Sequence, residues 1–194
     1  MSRWAPDARG RLEQAAMELY GENGFESTTV AEIAERAGLT ERTFFRHFTD
    51  KREVLFWGAA ALQEFLVSNV DAAPVSVPPI EALTSALGAA ADDFFEDRRD
   101  RVRLRQAIIA ANTELQEREL IKLASLASAL ADALRRRGIG EPASSLAAEA
   151  GIAVFKIAFE GWVHDEHGRT LSQVIRESMD ELSHVTGDRT QAAR

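Results

Sequence analysis

The sequence predicts an all-helical fold, and three observations carry that expectation. Apolar residues recur at spacings of three and four through almost every segment, as in Leu12, Ala15, Ala16, Leu19 and Tyr20, the period of a helix with one buried face. Residues suited to helix starts, such as Thr29, Thr40, Asp50 and Thr113, stand just before those segments. No stretch alternates apolar and polar residues as a half-buried strand would, and no internal repeat is visible.

Length and composition set the outer limits. The chain has 194 residues, 45 % of them apolar, enough for one large domain or two small ones with a substantial core. It has no cysteine, so disulfides and thiolate-bound metals are excluded. There is neither an apolar run of bilayer length nor a charged-then-apolar leader, so a cytoplasmic protein with no membrane partner is expected.

The first helix is expected from about Pro6 to Glu22, with proline suited to the first turn, where its missing N–H is not needed. Gly21 and Gly24 mark its exit. Thr29 with Glu32 reads as a capping box opening a second helix, whose apolar side is Val30, Ile33, Ala34 and Ala37. Gly38 ends it, because glycine takes the left-handed conformation without steric cost. Thr40 can cap a third helix. Its Phe44 and Phe48 lie one turn apart and point to a core, while Arg42, Thr43, Arg46 and His47 gather on the other face. Asp50, with Glu53 three residues on, opens a helix expected to continue to about Asn69 and into a second domain.

Asp71–Pro79, with three prolines, is the clearest loop. Helices then follow over Ile80 to Asp97, Arg101 to Asn112, and Thr113 to Arg137. The last has a Thr113–Gln116 capping box and a stripe of Leu120, Leu123, Leu126, Leu130 and Leu134. Gly138 and Gly140 break it. Two more helices run from Pro142 to His164 and from Thr170 to Thr186. The polar tail from Gly187 to Arg194 is expected to be disordered. The boundary between the two domains is placed at Arg52, giving domains of 1–52 and 53–194.

The third helix carries the most informative chemistry. Arginine and threonine can contact base edges, and histidine and lysine can contact phosphates. A helix-turn-helix places such a second helix in the DNA major groove. The same spacing also fits an ordinary helical hairpin with a solvated charged face, and spacing alone leaves both readings open. Charge distribution bears on the choice. The chain has 23 Lys and Arg against 31 Asp and Glu, a net charge of −8. Eight of those basic residues and nine of the acidic ones precede Glu53, so most of the negative charge lies in the second domain. Within 39–52 basic residues outnumber acidic ones four to two. An acidic body behind a locally basic helix helps repel DNA from the wrong surfaces.

Residues 29–55, TVAEIAERAGLTERTFFRHFTDKREVL, resemble the DNA-binding region of the TetR family of bacterial transcriptional regulators. In that family a segment like TVAEIAERAGL precedes a recognition helix like TxRTxYxHF and then a lysine that opens the next helix. The close match covers roughly the first quarter of the chain. The resemblance implies an N-terminal three-helix DNA-binding unit with a helix-turn-helix, and a larger helical ligand-binding and dimerisation domain. It also implies a homodimer on double-stranded operator DNA, and repression relieved by a small molecule. Thr29, His47 and Lys51 match family positions that contact the DNA backbone. A lysine near a helix start is a poor dipole partner, which favours a phosphate role for Lys51. Thr40, Arg42, Thr43 and Arg46 are candidates for base contacts. Phe45 departs from the family's tyrosine and puts one phosphate contact in doubt. It can touch a deoxyribose or a thymine methyl, or pack inside the unit; because Phe44 and Phe48 already supply the core face, the outward reading is preferred.

The second domain speaks less clearly. Phe65, Phe94, Phe95, Ile108, Phe159 and Trp162 can line an apolar ligand cavity or simply form core. Helix 142–164 is apolar around most of its circumference, which demands burial. Pairing it with the last helix across a two-fold axis satisfies that demand, with Gly151, Phe155, Ala158, Ile175 and Met179 at the interface. The run His164, Asp165, Glu166, His167 admits a metal reading, but it lies at a helix end, where histidine has an ordinary dipole rationale. No nucleophile–base arrangement, glycine-rich phosphate loop or cofactor fingerprint is present. The expectation is therefore a DNA-binding transcriptional regulator with no metal, cofactor or catalysis. An effector-free DNA-binding or architectural protein is the alternative, and a metal-dependent hydrolase using the 164–167 cluster comes third.

Overall fold

A computed structural model describes residues 8–187. Pro6 and the tail beyond Gly187 lie outside the described residues. Ten α-helices are present among those described: α1 (Ala8–Asn23), α2 (Val30–Arg36), α3 (Glu41–His47), α4 (Glu53–Phe56), α5 (Ala59–Ala72), α6 (Pro79–Phe94), α7 (Arg99–Ala110), α8 (Thr113–Arg136), α9 (Ala143–Val163) and α10 (Leu171–Gly187), with one 3-10 turn at Glu96–Arg98. None of these helices is long and apolar enough to cross a membrane. The chain divides into two compact units, one through Ala59 together with Asp100–Leu120, the other comprising Ala60–Arg99 and the residues from Ile121 onward.

The first unit is built around α1 to α4. Leu12, Ala16, Leu19 and Tyr20 of α1 meet Ile33 and Ala37, Phe44 and Phe48, and Val54, Leu55 and Phe56 in one core. The start of α2 is fixed as the sequence suggests. The Glu32 N–H donates to Thr29 Oγ1 at 3.2 Å and the Thr29 N–H to Glu32 Oε2 at 2.7 Å, a reciprocal pair that satisfies two otherwise orphaned donors. Its end is a Schellman turn. Gly38 has φ +63°, its N–H donates to Glu35 O and the Leu39 N–H donates to Ala34 O. Arg11 donates to the Ala37 carbonyl beside it, and a Cβ on Gly38 would stand 2.8 Å from the Arg11 guanidinium. The positive φ therefore disfavours larger residues here, and a Cβ would also displace the end of the Arg11 side chain.

Two expectations change here. The single helix from Asp50 to Asn69 is broken. Asp50 Oδ1 accepts from the N–H groups of Arg52 and Glu53, at 2.8 and 3.1 Å, and starts α4. That helix stops at Phe56, and α5 begins at Ala59. The reason lies in burial. Val54, Leu55 and Phe56 are three consecutive buried residues in the first unit, whereas the buried residues of α5, Leu66 and Val70, belong to the second. The boundary expected at Arg52 also does not coincide with the division in the structure, because α4 is gripped by residues far along the chain. Arg105 Nε donates to the Leu55 carbonyl at 2.8 Å, Arg105 pairs with Glu119 at 2.7 Å, and Arg118 pairs with Glu53. Both guanidinium groups lie over the Phe56 ring, at 5.1 and 6.0 Å, a cation–π arrangement. Ile108, Ile109 and Leu115 complete this core.

In the second unit α6, α9 and α10 pack on one another. The buried face of α6 is Ala82, Leu83, Ala86, Leu87, Ala90 and Ala91, and Pro79 occupies its first turn, where proline costs no hydrogen bond. Gly151 of α9 lies against Leu83: a Cβ there would stand 3.4 Å from Leu83 Cδ1. The leucine stripe of α8 is buried only at its end: Leu126, Leu130 and Leu134 are buried, whereas Leu120 is 56 % exposed. The capping box expected at Thr113 does not form, because Thr113 is the first helical residue and Gln116 Nε2 donates to the Ala110 carbonyl. A box does form at Thr170, where Gln173 and Thr170 exchange bonds of 3.0 and 3.2 Å.

The loop between α9 and α10 is organised by Asp165, whose side chain is fully buried. Its carboxylate accepts from the N–H groups of His167 and Arg169, at 3.0 and 3.1 Å, and from Arg169 Nε at 2.8 Å, with Arg99 at 3.7 Å. Burial pushes this carboxyl up, but the Arg169 guanidinium and the two amides outweigh burial and bring it down to about 2. A depressed folded-state pKa means stabilisation that is present above the unfolded value of about 3.9 and lost as pH falls toward 2. Asp165→Asn is expected to lower the melting temperature at pH 7. Thermal melts of both proteins should show that deficit constant down to about pH 5 and closing below about pH 4.

Candidate nucleic-acid interface

Helix α3 divides its residues sharply. Phe44 is fully buried and Phe48 is 3 % exposed, with ring centroids 5.4 Å apart. One residue further round the helix, Phe45 is 55 % exposed, touching Phe44 only edge-on at 5.5 Å. The outward reading of Phe45 therefore holds geometrically. Thr40 caps the helix, accepting from the Thr43 N–H at 3.2 Å, and the two hydroxyls lie 3.1 Å apart. Thr40, Arg42, Thr43, Phe45 and Arg46 together line an open concavity of about 610 Å³. Among the described residues neither Arg42 nor Arg46 has an ion-pair partner, while Arg36 is held by Glu22 at 2.8 Å and Arg52 by Asp50 at 2.8 Å. The two arginines at the concavity keep their donor forks for something outside the chain.

Three backbone-contact candidates stand differently. His47 is half-buried at the end of α3, and its Nε2 is buried without a hydrogen-bond partner. Thr29 is exposed, but its hydroxyl and N–H both engage Glu32 in the cap. Lys51 corrects the expectation most clearly. Its ammonium donates to the carbonyls of Phe25, Glu26 and Thr28 at 2.8, 3.1 and 3.0 Å, and lies 4.5 Å from the Phe25 ring centroid. An ammonium has three donors, so the loop takes all of them and leaves none for a phosphate. Tyr20 completes the latch, its hydroxyl donating to the Lys51 carbonyl at 2.7 Å. Burial and the neighbouring Asp50 push that hydroxyl's pKa up, so it stays a donor. The latch fixes the segment that leads into Thr29 and α2. No local pattern signals it, because the acceptors are main-chain carbonyls 23 to 26 residues away.

In the second unit the structure gathers most of the ligand candidates. Phe65 of α5 meets Phe94 at 5.3 Å, Phe94 meets Phe95 at 6.5 Å, Phe95 meets Phe159 of α9 at 5.3 Å, and Phe159 meets Trp162 at 5.9 Å. Ile108 is not among them, since it belongs to the core of the first unit. Phe155, expected at a subunit interface, stacks in this row at 5.5 Å from Phe159. The other interface candidates, Gly151, Ala158, Ile175 and Met179, are also buried within the unit. They are already covered by this chain's own helices, which corrects that assignment. The large apolar residues that α9 exposes are Leu146 and Ile157, at 65 and 67 %, and Ala150, Ala153 and Gly161 share their helical face. In the 164–167 cluster Asp165 serves the loop described above, and His164 Nδ1 lies 2.9 Å from the Glu160 carbonyl of its own helix.

Comparison with known proteins agrees with this arrangement. Residues 13–56 match the family profile described as bacterial regulatory proteins of the tetR family, and residues 77–187 match the MftR C-terminal domain. The Mycobacterium tuberculosis regulator MftR, named for mycofactocin biosynthesis, is 30 % identical over 163 residues, covering 80 % of this chain and 79 % of that protein. The Streptomyces glaucescens regulator TcmR is 37 % identical over 81 residues, 42 % of this chain but only 36 % of its own length. Among solved structures, SmeT, the repressor of the Stenotrophomonas maltophilia multidrug efflux pump SmeDEF, superposes with a TM-score of 0.61 at 22 % identity, covering 91 % of this chain and 89 % of that one. The complex of SmeT with triclosan superposes at 0.67 with 21 % identity, covering 92 % and 90 %. These structures share the fold, and the relatives are regulators of transcription. The chain belongs to the TetR family of bacterial transcriptional regulators, DNA-binding proteins of the helix-turn-helix class.

Proposed function

We propose that this protein is a homodimeric repressor that holds operator DNA through α3 and releases it when a small, mainly apolar molecule occupies the second unit. The observation that carries the reading is the exposed concavity on α3, where Arg42 and Arg46, unpaired, stand beside Phe45 and two threonines. An N-terminal recognition helix of this make-up suits a major groove, with arginine forks for guanine and apolar carbon for a thymine methyl. The aromatic row from Phe65 to Trp162 supports an apolar ligand, as does the capture of triclosan by SmeT. The ligand acts only by favouring the conformation that fits the operator less well. A DNA-binding role supports a cytoplasmic location.

The second copy docks, in this reading, on the exposed stripe of α9. Leu146, Ala150, Ala153, Ile157 and Gly161 follow spacings of four, three, four and four, so they form one apolar face with small residues between two large ones. Small residues permit close approach of two helices, and large exposed aliphatics gain by burial.

Three expectations test the reading. Arg46→Ala is expected to weaken binding to the operator by roughly 1–3 kcal/mol and binding to random DNA much less, as measured by fluorescence anisotropy over a salt series. Lys51→Met should behave differently, lowering the melting temperature while leaving the salt dependence of DNA binding unchanged, because its ammonium serves the loop. A salt slope smaller by about one would return Lys51 to the phosphate contacts. For assembly, Ile157→Asp should give a folded monomer by sedimentation and circular dichroism, whereas Phe155→Asp should unfold the second unit. A folded Ile157→Asp dimer would remove α9 from the interface.

A further inference from the structure

The aromatic row ends in two buried donors that no described residue satisfies. Trp162 is fully buried, and its indole N–H has no hydrogen-bond partner. The Arg99 guanidinium lies over the same ring, 4.9 Å from its centroid, and Arg99 Nε is likewise buried and unpartnered. The other end of that guanidinium is engaged: its Nη2 donates to the carbonyls of Trp162 and Asp165, at 2.6 and 3.1 Å. Arg99 is thereby held in place with Nε still unpaired. Indole N–H and guanidinium N–H can only donate, and buried donors without acceptors are rare and destabilising. The guanidinium and the indole are in contact, so both donors stand at the same end of the row. The row also has a direction. Phe65, Phe94 and Phe95 are half-exposed, Phe155 and Phe159 are buried, and Trp162 is completely enclosed.

We propose that the ligand of this unit is an uncharged, ring-bearing molecule with one hydrogen-bond-accepting oxygen. Its rings lie along the phenylalanines, and its oxygen accepts from Trp162 Nε1, with Arg99 Nε alongside. This rests on the reading of the second unit as the ligand-binding part. Local charge selects a neutral acceptor over an anion. Arg99 and Arg169 already face Asp165, Glu177 also holds Arg169 at 2.9 Å, and Glu96 accepts from the Leu171 N–H at 3.1 Å. Asp165 and Glu177 thus answer the two guanidinium groups, and Glu96 adds a third carboxylate nearby, so the local charge does not favour an added anion.

The test compares naphthalene with 2-acetylnaphthalene, which share the ring system and differ by a carbonyl group. Equilibrium dialysis against the full-length protein should give the acetyl compound about tenfold tighter binding, the worth of one such hydrogen bond. In Trp162→Phe the ratio should fall to near one with naphthalene affinity little changed. Phe159→Leu should weaken both compounds alike and preserve the ratio. If Trp162→Phe fails to fold, 3-benzothienylalanine at that position keeps the ring and removes the N–H, and the same loss of ratio is expected. A ratio near one in the wild type, binding of neither compound, or an unchanged ratio without the indole N–H would overturn the proposal. Operator titration of the same wild-type preparation separates the two levels. Normal DNA binding without discrimination between the probes contradicts this inference alone, whereas absence of DNA binding contradicts the repressor reading.

Discussion

Helices α2 and α3 have seven residues each, too few to persist in water on their own. What holds α3 is the burial of one of its sides. Phe44 and Phe48 sit in the core of the first unit, and each buried aromatic stabilises by roughly 1.5–3 kcal/mol relative to exposure. Everything functional about α3 follows from that anchorage. Successive residues on a helix are turned by about 100°, so fixing Phe44 inward also fixes Arg42, Phe45 and Arg46 outward. A shift of register by one residue would bury Phe45 and expose Phe44. The turn at Gly38 and the latch of Lys51 and Tyr20 then set where the two short helices stand within the unit.

Electrostatics adds a second constraint. A chain with net charge −8 is a poor general ligand for DNA, and its arginines show how that is reconciled with a DNA-binding helix. Several elsewhere are paired: Arg101 with Glu13, Arg105 with Glu119, Arg118 with Glu53, Arg136 with Asp71. Arg42 and Arg46 have no such partner among the described residues. Exposed pairs of this kind contribute little to stability, but they neutralise positive charge where DNA should not bind. In the proposed reading, affinity is thereby concentrated on one small surface, where direct base contacts decide specificity.

What the sequence disclosed was the local part of this design. The Thr29–Glu32 box, the Gly38 turn, the inward Phe44 and Phe48 and the outward Phe45 all depend on neighbours three or four residues away, and periodicity reveals such relations. Lys51 was misread because its partners are main-chain carbonyls brought near only by folding. Ile108 was misplaced for a related reason: an apolar residue on a helix announces burial, but not in which core. The same ambiguity explains the interface residues. Helix α9 is apolar on nearly every side, so the sequence could not say that Phe155 and Ala158 serve the chain's own core while Leu146 and Ile157 remain outside. The break between α4 and α5 escaped for want of a strong local signal, since Trp57 and Gly58 carry only a weak one.

In the proposed reading the outward face of α3, and not the surrounding frame, chooses the DNA sequence. The direct measurement is an exchange of that face: Thr40, Arg42, Thr43, Phe45 and Arg46 replaced together by the corresponding residues of another family member, with Phe44 and Phe48 kept. Selection from a random pool of duplex DNA then reports the preferred site. The account predicts a folded protein whose preference moves to the site of the donor protein. A folded protein that still selects the original site would contradict it.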